Sequence, residues 1–115
     1  MIRTIPVASE RIFAQIPPGP SVGILGCGDC AAAQHHADTK QLDRWVERFR
    51  DRNPVAFAVM TESPCDQRVL RRFLGLVPGF GNAEVILALA CPVGQQSLIR
   101  LLRDFTPAPR VVSGL

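Results

Sequence analysis

The 115-residue sequence has no tyrosine, a single tryptophan, and only one lysine beside twelve arginines. A nucleic-acid surface needs a basic stripe with exposed aromatic side chains. The few aromatic residues here fall mostly in apolar patterns, and the arginines alternate with acidic residues on predicted helix faces. This composition argues against a nucleic-acid partner.

Long apolar runs are also missing from the sequence. The longest are of strand length, such as residues 85–90, whereas a membrane-spanning helix needs about 20 apolar residues. The first 13 residues contain no apolar segment typical of a secretory signal. We therefore expect a cytoplasmic protein with no membrane partner, in which cysteines are more often ligands or redox groups than disulfides.

Apolar segments of strand length alternate with amphipathic segments of helix length. The strands are predicted at residues 21–25, 55–60 and 84–90, and the last two read as covered on both faces. This alternation predicts a parallel sheet between helices. We expect one domain over residues 1–115 with an α/β fold: a small three-layer sandwich with a three- to four-stranded parallel sheet, similar to half of a Rossmann or flavodoxin-like domain. Residues 1–20 form a lead-in with a short helix, and residues 106–115 an irregular tail or short edge strand at 111–112.

The helix boundaries follow from capping signals. Asp38, with Gln41 three residues later, predicts a helix over residues 39–52. Ser63 as N-cap and Pro64 at the first helical position predict the next helix. The residues expected to face inward in the three helices are Leu42, Trp45, Val46 and Phe49; Val69, Leu70, Phe73 and Leu74; and Leu98, Leu101, Leu102 and Phe105.

The four cysteines all follow predicted strands. Cys27 and Cys30 follow the first, Cys65 the second and Cys91 the third. Because parallel strands end at the same edge of a sheet, these side chains are expected to meet there. Thiolates suit iron–sulfur clusters and Zn²⁺. We predict one four-cysteine metal site holding a [4Fe–4S] cluster, with Zn as the alternative.

Polar and glycine residues near the cysteines add to this prediction. Backbone N–H groups of glycines could donate to the sulfur atoms, and nearby polar side chains could act as reserve ligands or hydrogen-bond partners. The residues concerned are Gly26, Gly28, Gly94, Gln34, His35, His36 and Gln96. Two other interpretations of the cysteines stay open: scattered structural cysteines, and a dithiol redox pair at Cys27 and Cys30.

Three segments resemble one known family. Gly-Cys-Gly-Asp-Cys at 26–30, Ser-Pro-Cys-Asp at 63–66 and Leu-Ala-Cys-Pro-Val-Gly-Gln-Gln at 89–96 are similar to the methylenetetrahydrofolate reductase C-terminal family. The resemblance extends to about residue 105. It implies an accessory, non-catalytic subunit that carries iron–sulfur clusters or zinc and docks on a flavin-containing methylenetetrahydrofolate reductase. Cys27, Cys30, Cys65, Cys91 and Gln96 match the family pattern, whereas Gln34 stands where the family has a further cysteine, which favours one site.

Two alternative functions remain. One is a small redox or methyl-transfer enzyme with a reactive thiolate, for which His35 or His36 would be the base and Asp29 or Glu62 the acid. The other is a mononucleotide-binding module, since Gly26, Gly28 and Ala31 fit the pattern G-x-G-x-x-A after a strand.

Overall fold

The computed structural model describes residues 5–28, 34, 36–61, 66–105 and 108–115. Within these ranges the chain forms four helices, four strands and one short 3₁₀ helix. In chain order they are α1 (Ser9–Gln15), β1 (Val22–Cys27), α2 (Thr39–Phe49), β2 (Val55–Thr61), α3 (Gln67–Leu74), the 3₁₀ helix (Phe80–Asn82), β3 (Val85–Leu89), α4 (Pro92–Leu102) and β4 (Arg110–Ser113). Among the described residues, no helix has both the length and the apolar character needed to cross a membrane.

The four strands form one sheet in the order β2-β1-β3-β4, and every neighbouring pair is parallel. This confirms the predicted α/β fold, and the expected edge strand at 111–112 is part of β4. From β1 the chain moves to one side to form β2 and then to the other side to form β3. The position between β1 and β3 is therefore a topological switch point, where open α/β sheets leave a crevice at the carboxyl ends of the strands.

Helices cover both faces of the sheet, and each face has its own core. On one face, α1 and α2 pack over the sheet through Ile12, Trp45 and Phe49. On the other, α3, α4 and the 3₁₀ helix pack through Leu70, Leu98 and Phe80. Both cores reach the central strands, where Ile24 belongs to the first and Leu25 to the second, as the alternation of side chains in a strand requires.

The capping signal before α2 is confirmed. The Asp38 side chain accepts a hydrogen bond from the Gln41 N–H at 3.1 Å. The apolar stripe is confirmed as well, because Leu42, Trp45 and Phe49 are buried. The helix is three residues shorter than expected, since the turn after it is fixed by Asn53, whose amide donates to two carbonyl groups of the proline-rich lead-in.

The predicted start of α3 was wrong. The helix begins at Gln67, and its N-cap is Asp66 rather than Ser63. The Asp66 carboxylate accepts a hydrogen bond from the Arg68 N–H at 3.0 Å. A carboxylate at this position is as strong a cap as a serine hydroxyl, and it stabilises the later start.

Two inward positions were also wrong. In α3, Leu70 and Leu74 are buried, but Val69 is 42% exposed, because a helix of eight residues presents only one narrow side to the core. Phe105 follows the end of α4 and is exposed; its ring packs edge-on against Phe80.

The second strand is not covered on both faces as expected. Because β2 lies at the edge of the sheet, only Phe57 and Thr61 are buried along it. Met60 is exposed. The sequence of β2 is apolar and uncharged like those of the central strands β1 and β3, and it therefore does not indicate that β2 lies at the edge.

Candidate metal centre

Two of the four cysteines lie at the carboxyl edge of the sheet, at the ends of neighbouring strands. Cys27 is the last residue of β1, and Cys91 follows β3 and is the N-cap of α4. Gly26 pairs with Leu89, so the cysteines stand one and two residues beyond this pair. Neighbouring strands are about 4.8 Å apart. The fold thus brings together two cysteines that are 64 positions apart in the sequence, and it does so at the switch point.

Both of these cysteines are buried. Cys27 is 4% exposed and Cys91 is 6% exposed. Cys27 belongs to the core cluster of the α1–α2 face. The Cys91 side chain makes no capping hydrogen bond to α4, although it stands at the N-cap position.

The other two predicted ligands, Cys30 and Cys65, lie outside the described residues, as do His35, Asp29, Ala31 and Glu62. In the sequence, Cys30 is three residues after Cys27, and Cys65 is four residues after Thr61, the residue that pairs with Cys27. The described ranges alone contain no group of three or more His, Cys, Asp or Glu side chains that could hold a metal ion.

A surface groove lies between the starts of α3 and α4. It has a volume of about 490 Å³, and its walls include the first residue of α3, Gln67, and the first two residues of α4, Pro92 and Val93. The starts of these two helices are therefore neighbours. Cys65 precedes one start by two residues, and Cys91 precedes the other directly.

The glycine-rich turn after β1 is packed tightly inside the fold. A Cβ atom on Gly26 would lie 2.8 Å from the carbonyl oxygen of Ala37. The Gly28 N–H donates to the carbonyl of Thr61 at 2.6 Å. This donor is therefore directed at the end of β2, and the expectation that it would donate to a sulfur atom was wrong. Gly94 is buried in the first turn of α4.

The glutamine that supports the cysteine edge is Gln95, which sequence reasoning missed. Its side-chain amide donates to the carbonyl of Ala90 at 2.8 Å and to the Ser113 hydroxyl at 2.9 Å. Its backbone N–H donates to the Cys91 carbonyl at 3.0 Å. Gln96, which the resemblance singled out, is exposed. Helical spacing could have identified Gln95, because the residue four positions after the N-cap lies over the cap.

Of the remaining polar candidates, His36 lies beside α2. His36 lines a cavity of about 280 Å³ together with Trp45 and Arg48. The Arg48 guanidinium donates to the Ser9 hydroxyl at 3.1 Å and lies 4.8 Å from the centre of the Trp45 ring. Gln34 is half-buried.

A carboxylate also stands next to the site in sequence. The Asp66 carboxylate accepts a hydrogen bond from the backbone N–H of Arg68, and this bond is the main reason why the pKa of Asp66 lies below its usual value. Asp66 is therefore an anion at neutral pH, at the position directly after Cys65.

No protein-family model matches the chain, and comparisons with curated proteins and with solved structures find no significant similarity.

Proposed function

We propose that the protein is a non-catalytic accessory subunit that holds one [4Fe–4S] cluster, or alternatively one Zn²⁺ ion, through Cys27, Cys30, Cys65 and Cys91. The observation that carries this proposal is the position of Cys27 and Cys91. Both are buried, and they lie at the carboxyl ends of adjacent parallel strands, at the switch point where such folds hold ligands.

The chemistry of the donors supports a metal centre. Cysteine sulfur is the ligand that iron–sulfur clusters and structural zinc sites use in proteins, and both kinds of centre accept four thiolates. Cys30 and Cys65 follow Cys27 and Thr61 closely in the sequence. The starts of α3 and α4, which Cys65 and Cys91 precede, border one groove.

The proposed partner is a flavin-containing methylenetetrahydrofolate reductase or a related one-carbon enzyme, to which the subunit would supply electron transfer or structural support. This part of the proposal rests on the sequence resemblance alone.

The packing of the glycine-rich turn makes the mononucleotide-binding function a weaker proposal than the metal site. A phosphate-binding loop uses free backbone N–H groups. Here the Gly28 N–H already donates to Thr61, and Ala37 occupies the space over Gly26. The thiolate-enzyme alternative is distinguished by its prediction that one cysteine reacts much faster than the other three.

The test is anaerobic purification followed by analysis of iron, acid-labile sulfide and zinc. We expect brown protein with visible absorption for a cluster, or colourless protein with one zinc per chain. Serine substitutions at Cys27, Cys30, Cys65 and Cys91 should each lower the metal content and the stability together, because ligation and folding are coupled. Ala90→Ser is the matched control: it adds a hydroxyl at a buried position of the same edge and removes no thiol.

Two results would contradict the metal centre: the absence of both metals with all four thiols alkylated in the native protein, or full metal content in the Cys65→Ser variant. Partner docking is tested separately. The purified subunit is mixed with the flavin-containing reductase of the same organism, and the complex is sought by size-exclusion chromatography. If the two proteins do not bind, the proposed partner is contradicted, whereas the proposed metal centre is not affected.

A further inference from the structure

The groove between the starts of α3 and α4, called the α3–α4 groove from here on, has polar walls without an acidic side chain. Its volume of about 490 Å³ lies in the range of sites for small molecules. The lining contains one cation, three other polar side chains and no carboxylate; its residues are Gln67, Pro92, Val93, Gln96, Ser97 and Arg100. The groove therefore suits an anion of small-molecule size.

Ser97 gives the observation that points to a ligand. The residue is 5% exposed, and its hydroxyl is buried without a hydrogen-bond partner. Most buried polar groups are hydrogen-bonded, and one that is not calls for an explanation such as a role in binding. Val93 and Arg100, which lie four positions before and three positions after Ser97, line the groove with it, so this side of α4 faces the groove. The hydroxyl can donate to a group bound there without giving up a bond within the protein.

Arg100 supplies positive charge on the same side of α4. It is exposed, and among the described residues no carboxylate lies within ion-pair distance of it. Side chains on a helix lean towards its N-terminus, so this long side chain leans along the groove towards Ser97. The guanidinium group offers several N–H donors in a planar fork that matches the oxygen atoms of a phosphate.

The first turn of α4 adds donors at the other end of the groove. Pro92 has no N–H, and the N–H groups of Val93 and Gly94 have no partner within the helix. The Cys91 side chain makes no capping hydrogen bond to them. An uncapped helix start favours an anion through its N–H groups and the helix dipole. At the start of α3, by contrast, the Asp66 carboxylate is already the cap.

From these observations we propose that the α3–α4 groove binds a small phosphorylated molecule, whose phosphate group accepts hydrogen bonds from Ser97 and Arg100 beside the start of α4. The amide groups of Gln67 and Gln96 contact the rest of the molecule. A phosphate suits this set better than a carboxylate does, because it offers three acceptor oxygens to donors that lie on different sides. The inference does not depend on the metal centre, and the site is separate from the glycine-rich turn after β1.

The first experiment titrates the anaerobically purified full chain with inorganic phosphate, ethyl phosphate and acetate at one ionic strength, by isothermal titration calorimetry. We expect one site per chain that binds both phosphate probes and does not bind acetate. Arg100→Gln should weaken the binding of phosphate by about tenfold or more in Kd, because it removes charged donors. Arg103→Gln is the matched control: it removes the same charge from an exposed residue at the end of α4 that lines a different groove.

A second variant separates binding from folding. Ser97→Ala should weaken the binding of phosphate by about fivefold in Kd. Without phosphate, its free energy of unfolding should stay the same or rise, because the hydroxyl that it removes has no partner within the fold. A serine with a purely structural role would give the opposite result, namely a less stable protein with unchanged binding of phosphate.

The absence of binding by inorganic phosphate and ethyl phosphate in the millimolar range would overturn the proposal. So would binding that Arg100→Gln leaves unchanged, or that Arg103→Gln weakens equally, since the anion would then be held elsewhere or by net charge alone. Acetate that binds as tightly as phosphate, or inorganic phosphate that binds while ethyl phosphate does not, would likewise contradict a site for a phosphorylated molecule.

Discussion

Replacement of Gln95 by alanine removes the side chain that ties the end of β3 to the end of β4. The lost hydrogen bonds are those to the Ala90 carbonyl at 2.8 Å and to the Ser113 hydroxyl at 2.9 Å, with a weaker contact to the Leu115 carbonyl at 3.4 Å. Each good hydrogen bond contributes about 1 kcal/mol to stability. Because the Ala90 carbonyl belongs to a buried residue, the free energy of unfolding should fall by about 2–3 kcal/mol.

The neighbouring Gln96 supplies the control. It has the same side chain in the same helix but is exposed, and a surface substitution of this kind changes the free energy of unfolding by less than about 0.5 kcal/mol. Urea unfolding of Gln95→Ala and Gln96→Ala, followed by circular dichroism, gives both values. The same variants should differ in metal content, since the Gln95 side chain donates to the carbonyl of Ala90, the residue directly before Cys91. Equal effects of the two substitutions would refute the role assigned to Gln95.

Two further predictions concern packing and pH. Gly26→Ala should lower the free energy of unfolding, measured by thermal unfolding, by about 1–3 kcal/mol, because the new Cβ would lie 2.8 Å from the backbone oxygen of Ala37. Gly81→Ala is the control: its Cβ would have no atom within 4 Å, so it should have little effect in the same assay. The Asp66 carboxylate accepts hydrogen bonds from helix N–H groups, so its pKa is lower in the folded chain than in the unfolded chain. The carboxylate therefore stabilises the fold at pH values above its unfolded pKa, and this stabilisation is lost as the pH falls through its folded pKa. Asp66→Asn should therefore flatten the loss of stability below about pH 4, and an unchanged pH profile would contradict this role.

The alternation of apolar strands with amphipathic helices was enough to predict the fold class, the short lead-in helix and the fourth strand. Capping chemistry predicted the start of α2 because Asp38 and Gln41 have the three-residue spacing of a capping box. It failed at α3, where the sequence offers both Ser63 and Asp66 as an N-cap and the helix starts after Asp66. Strand order is likewise invisible in the sequence: β2 is as apolar as β1, yet it lies at the edge.

For the site, strand-end placement correctly brought Cys27 and Cys91 to one edge. It did not reveal which nearby groups are already used by the fold. The Gly28 N–H is taken by Thr61, and Gln95 rather than Gln96 reaches the strand ends. Such pairings depend on register and on helix rotation by a single residue, and a motif read along the sequence does not contain them.

The protection of the four thiols in the native protein tests the metal centre most directly. The anaerobically purified chain is treated with an alkylating reagent, and the modified cysteines are identified by mass spectrometry before and after removal of the metal. We expect the four cysteines to be protected as one set and to become reactive together once the metal is removed; they are Cys27, Cys30, Cys65 and Cys91. If Cys27 and Cys91 are protected while Cys30 and Cys65 react at once, burial alone explains the protection, and the four-cysteine centre is contradicted.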